Sequence, residues 1–366
     1  MIEFIRVQRF KALNDASFPL AALNVFSGLN GMGKSSLIQS LLLLRQSYEK
    51  NTLLDKGLLL KGDYITLGTG KDVLTEHTDN ETIEFTIKWA DSEPANFVFD
   101  YAGTSDLQPL QAKTAIPTTL PNLFSRNFQY LAADRISPKT AYEASDYFIK
   151  DLNSLGNHGE FTAHYIAEYG LEPIKLKALQ HAKSSSLSLL DNLDKWMAEI
   201  SPGIRIRTRL HTEMNNVSLG YAFEHGGEVT AEFKPQNVGF GLTFVLPVLV
   251  AVLKAAPGDL LIIENPEAHL HPAGQATLGQ LCSLASAAGV QLFIESHSDH
   301  FLNGIRVAVK EQAISNDNVR LFFLERGPGH AHAARVASPV IDQKGRIDIW
   351  PAGFFVETDK QLEKLL

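Results

Sequence analysis

The spacing of apolar residues changes several times along the chain, and each change marks an element. Ile2, Phe4, Ile5, Val7 and Phe10 outline a strand, and the run Leu20-Ala21-Ala22-Leu23-Asn24-Val25-Phe26 predicts a second, buried on both faces. After a glycine-rich turn, Ser36 to Tyr48 reads as a helix with Leu37, Leu41 and Leu44 on its apolar side. Tyr64 to Gly68 and Thr82 to Ile87 alternate as strands do, with turn residues Thr78-Asp79-Asn80 between them, and Phe97 to Tyr101 adds a short strand. A looser stretch with Pro109, Pro117 and Pro121 leads to a strand over Asn127 to Ala133. Ala141 to Ile200 has a helical, polar-faced pattern, and β character returns at Arg205 to Leu210 and Val217 to Phe223. The last third alternates helix 242–256, strand 259–263, helix 274–288, strand 290–295, helix 300–312 and strand 319–325. That alternation predicts an α/β sheet with parallel strands. There is no internal repeat and no sustained heptad pattern.

Composition narrows the class. With 366 residues, 45% hydrophobic and 20% charged, the chain has ample core for about two domains and is neither a disordered tail nor a disulfide-stapled miniature. The net charge of −8 provides no global basic field for nucleic acid and leaves only a local groove open. A lone cysteine, Cys282, cannot form an internal bridge, fits a reducing compartment and reads as a small buried hydrophobe. The opening Met1-Ile2-Glu3-Phe4 lacks a leader pattern, and the greasiest run, Leu242 to Ala256, is short and carries Pro247 and Lys254. A soluble cytoplasmic protein is expected.

Chemistry first becomes specific at Gly28-Leu29-Asn30-Gly31-Met32-Gly33-Lys34-Ser35, a phosphate-loop pattern placed between a buried strand and a helix. Its glycines let backbone N–H groups wrap phosphates at the positive end of the helix. Lys34 would reach the β/γ oxygens and the Ser35 hydroxyl would ligate Mg²⁺, with Asn30, Gly31, Met32, Gly33 and Ser36 completing the cradle. A solvated glycine turn is the bland alternative.

Such a loop needs an acid from a neighbouring strand. Leu260-Leu261-Ile262-Ile263-Glu264 supplies one at a strand's carboxyl end, where α/β ligands sit, and Asn265-Pro266-Glu267 follows. Glu264 is expected to hold the metal. Glu267 is the nearest carboxylate for general-base work, although it could equally cap the next helix. His269 and His271 are better read as a structural turn than as a metal pair. A second buried strand ends in Glu295-Ser296-His297-Ser298-Asp299, where His297 could report the γ-phosphate.

Taken together, these segments and the opening Phe10-Lys11-Ala12-Leu13 resemble the ABC-type ATPase heads of the RecF, SMC and OLD group. The resemblance extends to compact bacterial, anti-phage defence-like members ending in Trp-Pro-x-Gly-Phe-Phe, here Trp350-Pro351-Ala352-Gly353-Phe354-Phe355, and covers about 1–135 and 235–366. It implies an α/β phosphate-loop head with an antiparallel β subdomain. The implied order is 1–135 as the N-terminal part of the head, 136–235 as an inserted, mostly helical arm or lid, and 236–366 as the C-terminal part.

The resemblance also implies a head-to-tail homodimer around ATP and Mg²⁺, each nucleotide meeting the partner copy's signature segment. That segment would be Asn237-Val238-Gly239-Phe240-Gly241-Leu242-Thr243, with Gly239 and Gly241 approaching phosphate and Thr243 replacing the usual serine; a plain helix start is the alternative. Asn265 stands where transporter heads carry a glutamate, so Glu267 takes over the proton or turnover is slow. Arg135, near the place of the glutamine loop, could contact nucleotide, couple the arm to it, or form a surface ion pair.

The Toprim nuclease of OLD proteins has no counterpart in the 69 residues after His297, so a separately encoded effector such as a nuclease is expected. Arg205, Arg207 and Arg209 share one strand face and either grip DNA phosphates or pair with acids on a neighbour. The function implied is an ATP-hydrolysing head that regulates an effector in anti-phage defence. Alternatives are a non-hydrolytic nucleotide switch and a RecF-like DNA-repair clamp. No membrane association is expected.

Overall fold

The computed structural model describes every residue except 30, 79, 118, 327–333, 352, 355–363 and 366. Asn30, Asp79, Ala352 and Phe355, each singled out above, therefore lie outside the described residues. Packing groups the chain into two units, Met1–Ser125 with Val319–Val340 and Ile347–Leu366, and Arg126–Asn318 with Ile341–Arg346.

The first unit opens with β1 (Ile2–Phe10), β2 (Leu13–Pro19), β3 (Leu23–Gly28) and α1 (Lys34–Glu49), followed by β4 (Gly57–Leu59), β5 (Thr82–Trp89), β6 (Ala95–Asp100) and β7 (Leu107–Pro109). An antiparallel sheet runs in the order β2-β1-β5-β6, with Phe10 edge-on to Phe85 at 5.4 Å. Sequence pattern overlooks β2 because only Leu13, Ala16 and Phe18 face inward, among polar Asn14, Asp15 and Ser17. The strand predicted from Leu20 starts at Leu23 instead. Asn24 accepts from the Ala21 amide at 2.9 Å and donates to the Ala21 carbonyl at 2.8 Å, which makes a turn there. The strand expected over Tyr64 to Gly68 reduces to one bridge, Lys61 with Thr66. Gln46 of α1 takes over, accepting from Ile65 N and donating to Leu59 O.

The second unit contains β8 (Phe128–Leu131), β9 (Ala141–Glu143), α2 (Thr162–Tyr169), α3 (Leu189–Ile200), β10 (Ile204–His211), β11 (Asn216–His225), β12 (Glu228–Val229), α4 (Phe240–Lys254), β13 (Leu260–Glu264), α5 (Pro272–Ala287), β14 (Gln291–Glu295) and α6 (Asp299–Lys310). Strand β13 lies between β8 and β14, all parallel, as the strand–helix alternation predicts. Helix α4 is buried nearly throughout. The expected arm, 136–235, falls within this unit and carries α2, α3 and the hairpin β10–β11, with β9 added to β11. The chain then returns to the first unit as β15 (Val319–Arg326) and β16 (Ala334–Ala337); β15 is parallel to β3 and antiparallel to β16. The fold is α/β, as expected. Among the described residues no helix is long and apolar enough to cross a membrane.

Candidate nucleotide-binding site

In the first unit, fully buried β3 delivers the glycine loop to α1. A side chain on Gly28 would place its Cβ 2.2 Å from the Leu324 carbonyl of β15, so the loop can leave the sheet here only as glycine. Gly33 caps α1 in the left-handed region, at φ 90°, with no side-chain cap bond and no acid in the helix's first turn. The positive end of the helix therefore meets the loop without an internal anion to neutralise it. Lys34 is buried, and its ammonium folds back to donate to the Gly28 and Leu29 carbonyls, both at 3.0 Å. Gly31 has a positive φ and open space around it, Met32 and Ser35 are half-buried, and Ser36 is buried behind the helix start.

In the second unit, Glu264 stands half-buried at the end of β13 and accepts from the Tyr130 hydroxyl at 3.1 Å. Burial pushes its carboxyl above the ordinary range, against the pull of that hydroxyl and of the Ala133 amide. Asn265 follows in the left-handed region, at φ 44°, its amide donating to Glu295 O at 2.8 Å. Glu267 is buried; its Oε1 accepts from the His297 amide at 2.7 Å, and burial raises its pKa too. Its Oε2 and the Asn265 Oδ1 are buried and make no hydrogen bond of ordinary geometry among the described residues, although the Ser296 hydroxyl, with the His297 amide, partly offsets the effect of burial on Glu267. The His297 ring is exposed.

Two side chains hold this loop from β8 and the turn after it. Arg135 is buried and donates to the Asn265 carbonyl at 3.1 Å and to the Glu264 carbonyl. Burial lowers its pKa to about 10, opposed by Glu267 and Glu264. Arg135 is thus no surface ion pair. Tyr130 is a site neighbour that sequence reading places only as a strand residue. Its sole signal is its position near the carboxyl end of a strand that comes to lie beside β13.

Gly239 and Gly241 separate in role. Gly239 caps α4 and has nothing within 4 Å of where a Cβ would lie, whereas a Cβ on Gly241 would sit 2.3 Å from the His269 carbonyl. Thr243 is buried near the Tyr221 hydroxyl. His269 packs edge-on against Phe240 and Phe244, and His271 caps α5 through Nδ1, so both serve the turn. Arg205 pairs with Glu224 and Asp194, and Arg209 lies 3.7 Å from Glu232, which is the acid pairing weighed above against a phosphate grip. Cys282 is buried and burial pushes its thiol up to about 12.

Magnesium is a hard ion that takes one or two protein oxygens and completes its shell with phosphate and water. The Ser35 hydroxyl of the first unit and the Glu264 carboxylate of the second are each oxygen donors of that kind. Among the described residues no group of three or more His, Cys, Asp and Glu could hold a metal by itself.

Residues 23–303 match the family described as "AAA domain, putative AbiEii toxin, Type IV TA system", and residues 314–365 match one described as "Protein of unknown function (DUF3696)". No curated protein matches the chain. Among solved structures, an SMC head bound to the C-terminal winged-helix domain of ScpA superposes with a TM-score of 0.56 at 15% identity, covering 93% of this chain and 98% of that one. An SMC head with an extended coiled coil, bound to the C-terminal domain of ScpA from Pyrococcus furiosus, gives 0.50 at 14% identity, covering 100% and 99%. The fold is that of SMC heads.

Proposed function

Because the chain belongs to this AAA-domain family, we propose that it binds ATP with Mg²⁺, hydrolyses it slowly and regulates a separately encoded effector. Lys34 and the amides of the Gly28–Ser35 loop, Asn30 to Gly33 among them, hold the phosphates, with Ser36 behind them. Ser35 and Glu264 hold the magnesium, which when bound neutralises charge on the phosphate oxygens. Glu267 accepts a proton from the attacking water, Asn265 orients that water, and His297 senses the γ-phosphate.

The observation that carries this reading is Glu267. A buried carboxyl with a raised pKa, one oxygen fixed by the His297 amide and the other making no hydrogen bond of ordinary geometry among the described residues, has the form of a general base awaiting a water. The contact also links base and sensor through one backbone group. Asn265, the residue directly after the metal acid, brings no carboxylate, which supports slow turnover.

Two copies closing head to tail would bring Gly239 of one to the nucleotide of the other, with segment 136–235 as the arm between the parts of each head. An SMC head seated on ScpA supports a partner protein, and a family description naming a toxin of a toxin–antitoxin system supports a defence role. These last two steps are analogies of fold and family. Phosphate release by wild type and Glu267→Gln tests the core. Turnover lost in the variant while ATP binding persists supports hydrolysis through Glu267. No turnover in either, with ATP bound, would leave a nucleotide switch.

A further inference from the structure

Away from the phosphate and acid loops, the second unit holds a cavity of about 390 Å³ lined by residues of α2, α3, the segment 172–175 and the end of α4. Its walls are apolar where Ile174, Leu189 and Leu253 meet, and Tyr165 and Tyr169 stand side by side in it with ring centroids 4.8 Å apart. Lys254, the last residue of α4, lines this cavity and is only 8% exposed. Its ammonium donates to Asn153 O at 2.5 Å and to Asn153 Oδ1 at 3.2 Å, and lies 5.4 Å from the centre of the Tyr165 ring. None of these partners is an anion.

A buried ammonium is costly without a carboxylate, and among the described residues none lies within ion-pair distance of Lys254. Asp259 acts on it only through space, and burial lowers the ammonium to about 8. Lys150 and Lys175 add positive charge to the lining against the single acid Glu172, and Lys150 is itself paired with Asp146 and Glu168. A cavity of this size with apolar walls and a few polar groups is of the kind that takes small molecules.

We propose that this cavity binds a small organic anion, its carboxylate or phosphate head on the Lys254 ammonium and its apolar body against Ile174, Leu189 and Leu253. The anion would supply the missing counter-charge, and the tyrosine pair, its rings tilted 44° to one another, an aromatic edge. None of the lining residues belongs to the nucleotide site proposed above.

Pyridoxal 5′-phosphate is a suitable probe, since it carries an anion, a ring and an aldehyde. The Lys254 amine adds to the aldehyde, water leaves, and borohydride reduces the imine to a stable secondary amine that peptide mass mapping locates. On the intact wild-type protein near pH 8, Lys254 is expected to label at least about tenfold faster than exposed Lys175 and Lys183, through its larger neutral fraction. Benzoate should protect it if the site selects carboxylates, and inorganic phosphate if it selects phosphates. Leu189→Trp, which narrows the cavity at a residue outside the polar contacts of the lysine, should slow Lys254 labelling while exposed lysines keep their rate. Labelling confined to exposed lysines, or labelling of Lys254 that neither competitor slows, would overturn the proposal.

Discussion

At the scale of single residues, Glu267 has opposite effects on stability and on chemistry. Burial raises both Glu264 and Glu267 above the ordinary carboxylate range. Such a carboxyl holds its proton more tightly folded than unfolded, so stability falls as pH rises from the ordinary value through the raised one. A general base needs the reverse, and hydrolysis should decline as pH falls through that raised value. Glu267→Gln keeps an oxygen for the His297 amide and removes the buried charge. At neutral pH it should stabilise the fold by about 1 kcal/mol while abolishing phosphate release. Thermal melts near pH 4, where the wild-type carboxyl is mostly protonated in either state, should show that gain shrinking. The residue types of this loop were legible because a buried strand ending in an acid has few other uses. Tyr130 and Arg135 were not, because their roles depend on a stretch of chain some 130 residues earlier returning beside β13. Local pattern carries no record of such a return.

At the scale of elements, the buried parallel strands and α4 were legible because their apolar runs are continuous, whereas β2 was hidden by its polar outer face and the 64–68 loop was claimed by one glutamine. Helix pairing was also illegible. A Cβ on Gly304 of α6 would lie 2.0 Å from the Ala276 carbonyl, and one on Gly279 of α5 would lie 2.3 Å from the Phe301 carbonyl. The two helices thus approach backbone to backbone at reciprocal glycines. Gly304→Ala gains helix propensity but must part the pair, and a net loss on the order of 2 kcal/mol is expected in denaturant melts. Strand β10 gives a second element-scale prediction. Arg205 lies 3.4 Å from Asp194, which is buried. Arg205→Ala should therefore cost about 1–2 kcal/mol of stability, discounted for partial exposure. Salt-dependent DNA binding should be unchanged in that variant, and a drop in DNA affinity without loss of stability would revive the repair-clamp reading.

At the scale of the whole molecule, the proposed assembly turns on whether Gly239 meets the partner copy's nucleotide or merely starts a helix. The local geometry allows one substitution to answer this. Gly239 has φ −56° and ψ 131°, which any residue adopts, has open space where a Cβ would go, and caps α4 without a side-chain bond. Aspartate is among the best helix caps, so Gly239→Asp should leave the fold as stable as before or add about 0.5–1 kcal/mol. It would also place a carboxylate where a partner's γ-phosphate must approach, and two anions there repel. In a Glu267→Gln background, where bound ATP persists, the single variant should shift from monomer to dimer on adding ATP and magnesium. With Gly239→Asp added it should stay monomeric while still binding ATP. Sedimentation of both proteins with and without nucleotide reads this directly. Continued ATP-dependent dimerisation of the double variant would move the partner contact elsewhere on α4 or off it, because a folded, nucleotide-loaded head with a charged cap could not close at this segment.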